Sequence, residues 1–233
     1  MNDFIVTLSE TMFFGVAISL ICYGIGTFVN RKVKFPLANP LLIAAILLIV
    51  ILKIMDIEYE TYLSEAKYIS YLLTPATVCL AVPLYEKLQL LKDNLKAVLL
   101  GIFTGIVISA ISIWGVCVVF SLDESVFATM LPKSTTTAIG MAVSEEMGGV
   151  VNITVAMIAI TGISGNVLAD WVLRLFRVTE PVARGIAIGT SSHVMGTSKA
   201  LEMGETEGAM SGLAVAVAGL ITVLIAPLLV GLY

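Results

Sequence analysis

The chain has 233 residues, 58% hydrophobic and only 13% charged, with a formal net charge of −4. Soluble domains carry about 25% charged residues, so this composition excludes an ordinary soluble fold, and the lack of a basic patch excludes nucleic acid as a partner. Residues 1–233 are expected to form a single integral membrane domain of all-α class, a polytopic helical protein set in the lipid bilayer.

The first ten residues, MNDFIVTLSE, are acidic and lack a basic leader segment. The apolar run from Met12 to Val29 is therefore expected to be a retained span and not a cleaved signal. Asn30, Arg31, Lys32 and Lys34 follow it. By the positive-inside rule that loop is cytoplasmic and the N-terminus lies outside. Pro36 and Pro40 bracket the entry to a second span, Leu37 to Met55, and Asn39 between them is positioned to cap or interrupt a helix. The acidic stretch DIEYETYLSEAK fits the outer face. A third apolar run, Ile69 to Tyr85, contains Pro75 and Pro83 and is expected to be kinked or broken. Lys87, Lys92 and Lys96 mark another cytoplasmic loop. Ala97 to Phe120 is a long span carrying a Gly101–Gly105 pair at GxxxG spacing.

From Pro132 to Gly149 the sequence is too polar for a simple span. Pro132 followed by Ser134, Thr135, Thr136 and Thr137 opens a helix, and Gly148 and Gly149 close it. This segment reads as a half-helix dipping into the membrane from outside. Val150 to Leu173 then crosses to Arg174 and Arg177. A second unusual segment, Gly185 to Met203, has Gly189, Thr190, Ser191 and Ser192 interrupting an apolar start, with a second short helix expected from His193. Whether it returns or crosses is open. The last span is Met210 to Leu232. Interrupted segments in both halves suggest an inverted repeat, with halves at about 30–120 and 130–233.

Two helix N-termini, at Lys133–Thr137 and Thr190–His193, are thus expected inside the membrane. Such an end carries unsatisfied N–H groups and about +0.5 elementary charge, which suits a small anion. Lys133, Ser134, Thr135, Thr136, Thr190, Ser191, Ser192, His193, Lys199 and Asn39 are the candidate binding residues. The hydroxyls equally suit plain helix capping. His193, the single histidine, is a candidate proton carrier, with Glu145 and Glu202 beside it as further candidates. The alternative for His193 is a neutral ring hydrogen-bonded in a turn. The three cysteines, Cys22, Cys79 and Cys117, lie in apolar runs without metal-ligand spacing and read as small buried side chains. No hydrolase elbow, zinc motif or phosphate loop appears, so neither an enzyme nor a cofactor is expected.

The stretches PKSTTTAIGMAVSEEMGG, ITGISGN and EPVARGIAIGTSSHVMGTSKALEMGETEGAMSGLA together resemble the LrgB/CidB family of bacterial membrane proteins. The resemblance covers most of the chain and is strongest from Pro132 to Ala214. It implies two functions. One is transport of small monocarboxylates of the pyruvate, glycolate or glycerate class across the bacterial inner membrane; the residue chemistry, not the resemblance, adds candidate proton coupling through His193 or a glutamate. The other is antiholin-like control of murein hydrolase activity and cell lysis, acting with a small LrgA/CidA-like subunit. The second needs an exposed packing face, for which Gly204, Gly208 and Gly212 or the Gly101–Gly105 pair are candidates. Homo-oligomerisation is expected in either case.

Overall fold

The computed structural model describes residues 13–33, 40–72, 75, 78–79, 81–86 and 88–233. Every regular element among them is helical, as the composition requires, because a lipid-facing backbone must satisfy its own hydrogen bonds. The chain divides into two compact units, Met1–Cys79 and Leu80–Tyr233.

The first unit contains α1 (Phe14–Val33), α2 (Pro40–Ile54) and α3 (Tyr59–Ser70). Gly15 of α1 lies against the α3 backbone, and Ser19 Oγ is 2.9 Å from Tyr62 OH across the same contact. Most of the acidic stretch lies in α3. Its sequence YETYLSEAKYIS has no Gly or Pro and is rich in helix formers, so nothing in it opposes a helix. At 15 residues, α2 is shorter than the second span expected from the sequence; it is about 22 Å long against a hydrocarbon core of about 30 Å. Asn39, Pro36 and Thr74 lie outside the described residues, and with them the first-half markers of the repeat.

The second unit runs α4 (Ala81–Glu86), α5 (Leu88–Asp93), α6 (Leu95–Val119) and α7 (Glu124–Met130), then a 3₁₀ turn (Leu131–Ser134). After it come α8 (Thr137–Glu146), α9 (Val151–Leu175), α10 (Pro181–Met203) and α11 (Glu205–Val230). Four described helices, α1, α6, α9 and α11, are long and apolar enough to cross a membrane. They keep large side chains such as Leu20, Leu100, Ile160 and Leu224 on their exterior, as a lipid-facing surface requires. Cys22 and Cys117 are buried as expected, but Cys79 is exposed.

Pro132–Gly149 begins as the sequence indicates. Thr136 caps α8, its Oγ1 accepting from the Ile139 amide at 3.4 Å. The segment ends at Gly148, whose φ of +75° is open to glycine at little cost. Threonine and serine hydroxyls tie it to α9. Thr154 Oγ1 donates to the Thr129 carbonyl at 3.0 Å and lies 2.7 Å from Ser144 Oγ, while Thr129 Oγ1 accepts from the Val150 amide at 2.8 Å.

The α10–α11 hairpin is the most extensive helix contact among the described residues of this unit. Gly185 and Gly189 of α10 face the backbone at Glu207 and Ser211 of α11, with no room for a Cβ at either glycine. Arg184 lies 3.9 Å from the buried Glu207. Glu180, Pro181 and Arg184 stand at the start of α10. Glu180 caps it by accepting from the Ala183 amide at 3.0 Å, and Pro181 occupies the first turn, where a missing N–H is harmless.

The small-residue faces proposed for docking are partly used inside the chain. A Cβ at Gly105 would stand 2.8 Å from Thr190 Cγ2, and one at Gly208 would strike Leu201. Close approach of helices within this unit thus takes up Gly105 and Gly208, whereas Gly101 is exposed on α6.

Candidate functional site

The interruption expected in Gly185–Met203 is a break at His193, where φ is 45° and ψ −143°. That conformation is nearly confined to glycine, and for another residue costs on the order of 1–3 kcal/mol. The surroundings hold it. His193 is 4% exposed, and its Nε2 donates to the Ile158 carbonyl of α9 at 2.9 Å, which fixes the proton on that nitrogen. Two residues on, Asn166 Nδ2 donates to the Met195 carbonyl at 2.9 Å and lies 3.1 Å from Ser198 Oγ. Thr197 Oγ1 donates to the His193 carbonyl at 3.0 Å and lies 2.8 Å from Ser211 Oγ of α11. Side chains thus satisfy backbone groups that the break releases.

The TGISGN sequence of α9 explains how α10 can come so close. A Cβ at Gly162 would stand 2.6 Å from His193 Cε1, and one at Gly165 would overlap Ser192 Oγ. Gly162, Gly165 and Asn166 sit at i, i+3 and i+4, on one helix face. Ser192 and His193 therefore pack into a seam between α9 and α10.

Thr190 and Ser191 line a different space, with Ser191 Oγ 3.0 Å from Ser192 Oγ at the boundary. With Lys133 and Ser134 they line a groove of about 690 Å³ bounded by α6, the 3₁₀ turn and the first half of α10. Gly101 and Gly105 of α6 are also on its wall. A second, much smaller cavity of about 20 Å³ is lined by Ser109, Ser134, Thr135, Thr190 and Thr222 among apolar residues. The two spaces share Ser109, Ser134 and Thr190.

The polar groups of the groove are unequally committed. Lys133 is half-buried, its Nζ donates to Ser134 Oγ at 3.1 Å, and it has no ion-pair partner among the described residues. Thr135 Oγ1 donates to the Pro132 carbonyl at 2.7 Å, Ser191 Oγ to the Ala187 carbonyl at 2.7 Å, and Thr222 Oγ1 to the Ala218 carbonyl at 2.8 Å. Thr190 Oγ1 is buried with no hydrogen-bond partner among the described residues. Glu180 lines the groove too, with one carboxylate oxygen on the Ala183 amide.

The fold thus gathers Lys133, Ser134, Thr190 and Ser191 around one space, with Thr135 at its small annex. It does not bring the remaining candidates there. Thr136 is a helix cap, and Ser192 and His193 belong to the seam. Lys199 Nζ is paired with Asp170 at 3.0 Å and Glu202 at 3.2 Å. Glu145 and Glu202 are exposed. Asn39 lies outside the described residues. The sequence reading passed over Asn166, Asp170, Ser109 and the Arg184–Glu207 pair. The spacing of Gly162, Gly165 and Asn166 is the signal that could have revealed the first of these.

Comparison with known proteins agrees with a helical membrane protein. The family model described as LrgB-like matches residues 19–232. Proteins called antiholin-like protein LrgB, from Bacillus mycoides (strain KBAB4), Bacillus cereus (strain B4264) and Bacillus anthracis (strain CDC 684 / NRRL 3495), are each 39% identical over 219 residues. The alignment covers 94% of this chain and 95% of each relative. No solved structure matches the chain. A family match across nearly the whole length, on a chain with four membrane-length helices, shows that this multi-pass membrane protein belongs to the LrgB-like family.

Proposed function

We propose that the chain is an antiholin-like membrane protein of the bacterial inner membrane, working with a small LrgA/CidA-like subunit to restrain murein hydrolase activity and lysis. The observation that carries this reading is the near full-length similarity to relatives of that name. Gly105 and Gly208 are taken up within the chain, so the subunit would dock on the outward apolar surface of the spans. The test is autolysis of a deletion strain. Faster lysis, reversed by complementation, is the expected result; unchanged lysis would sink the reading.

A second reading is favoured by the groove. A lysine with no carboxylate partner among the described residues, beside hydroxyls in an apolar wall, suits a small carboxylate, and the chain would carry pyruvate-, glycolate- or glycerate-class monocarboxylates. Proton coupling would fall to His193. Its Nε2 is committed to Ile158, so a second proton would add at Nδ1. The N-terminus would lie outside and the chain would assemble as a homo-oligomer. Flux of labelled pyruvate and glycolate into proteoliposomes tests the carrier. The two readings are compatible if the subunit is needed for transport.

A further inference from the structure

We propose that Lys133 and Thr190 select ligand charge in the groove, admitting one small monovalent anion and rejecting dianions and cations. The inference deepens the carrier reading and rests on it for its physiological meaning, but binding can be measured without flux.

The first observation is the charge inventory. Lys133 supplies one ammonium with no ion-pair partner among the described residues. Such a group in a mostly apolar wall favours an anion and repels a cation, because the low local dielectric strengthens both effects. Glu180 on the same wall opposes a second negative charge. Formally Glu180 cancels that ammonium, but one of its oxygens is held by the Ala183 amide at the positive N-terminal end of α10, which leaves Lys133 to take one ligand charge and nothing to take a second.

The second observation is independent of charge. Thr190 is 7% exposed, and its Oγ1 has no hydrogen-bond partner among the described residues. A buried hydroxyl left unpaired is unfavourable, and folded proteins contain few of them. Thr190 lines both the groove and the cavity of about 20 Å³, a volume sufficient for one water but not for a carboxylate. The hydroxyl is thus completed either by a resident water or by an oxygen of a groove ligand. Our assignment is the ligand oxygen, with Ser134 Oγ, already held by Lys133 Nζ, as the neighbouring donor. Ser192 and His193 take no part in charge selection, because they are packed against α9.

The test is saturation-transfer NMR on the purified chain in detergent, with acetate, malonate and ethylammonium as probes. Acetate should bind saturably, malonate about tenfold or more weaker, and ethylammonium not at all. Lys133→Met should remove acetate binding and Lys133→Arg should retain it. Thr190→Val should weaken acetate binding roughly tenfold without lowering the thermal unfolding temperature, since it deletes an unpaired buried hydroxyl. Unchanged acetate binding in Thr190→Val, with a lowered unfolding temperature, would mean a resident water and overturn the assignment. Equal binding of acetate and malonate, or unchanged binding in Lys133→Met, would overturn charge selection. Normal acetate binding without carboxylate flux would remove the carrier reading and leave the site. Flux insensitive to both Lys133→Met and Thr190→Val would do the reverse.

Discussion

Four consecutive residues of α10, Thr190 to His193, divide between two environments. Thr190 and Ser191 line a groove against α6 and the 3₁₀ turn, whereas Ser192 and His193 fill a seam against α9. The residue types barely differ across that boundary. What differs is the neighbouring helix. α9 presents two glycines and an amide that admit and bind the chain, while α6 and the turn leave a space beside a lysine with no ion-pair partner among the described residues. Hydroxyls in a membrane segment are therefore not evidence of a ligand site until their partners are known. Those of the seam are packing and backbone satisfaction; those of the groove are where a ligand can act.

This contrast is most severely tested at Gly165. Gly165→Leu should prevent the seam from closing, with destabilisation of about 1–3 kcal/mol or more, read as loss of a monodisperse peak in detergent. A well-folded Gly165→Leu protein would show that α9 and α10 are not in contact. Next in size is Asn166→Leu, which removes the donor to the Met195 carbonyl and should cost about 1–2 kcal/mol in thermal unfolding. His193 offers a finer test. His193→Gly and His193→Ala both lose the bond to Ile158, but glycine accepts the backbone at φ 45°. The glycine variant should therefore be the more stable of the two by about 1 kcal/mol. The reverse order would mean that the break is not anchored at this residue. The smallest effect belongs to Lys199→Gln. Its partners Asp170 and Glu202 are solvent-exposed to a large degree, so the loss should stay below about 1 kcal/mol and acetate binding should be untouched.

Much of this arrangement was legible beforehand because it depends on local chemistry. Capping threonines announced the start of α8, Gly148 its end, and the interruption of α10 fell within the Gly189–His193 stretch. Pairing was not legible. Lys133 and Lys199 look alike in sequence, each an isolated cation near small polar residues. Asp170, one helix away in space and 29 positions away in the chain, is what distinguishes them. The same holds for the glycine pairs. GxxxG spacing at Gly101 and Gly105 signals close contact but not with which surface, and here the contact is with Ile186 and Thr190 of the same chain.

Composition and pattern by themselves determined a multi-pass all-α membrane protein, four of its long helices, the two polar interruptions and the family. Each follows from hydrophobicity or from residues within a turn or two of one another. Only the tertiary structure decided that Thr190 and Ser191 share a space with Lys133 while Ser192 and His193 do not. Side-chain direction around a break is set by the backbone dihedrals at that break, and those are held by Ile158, Gly162 and Asn166, on a different helix.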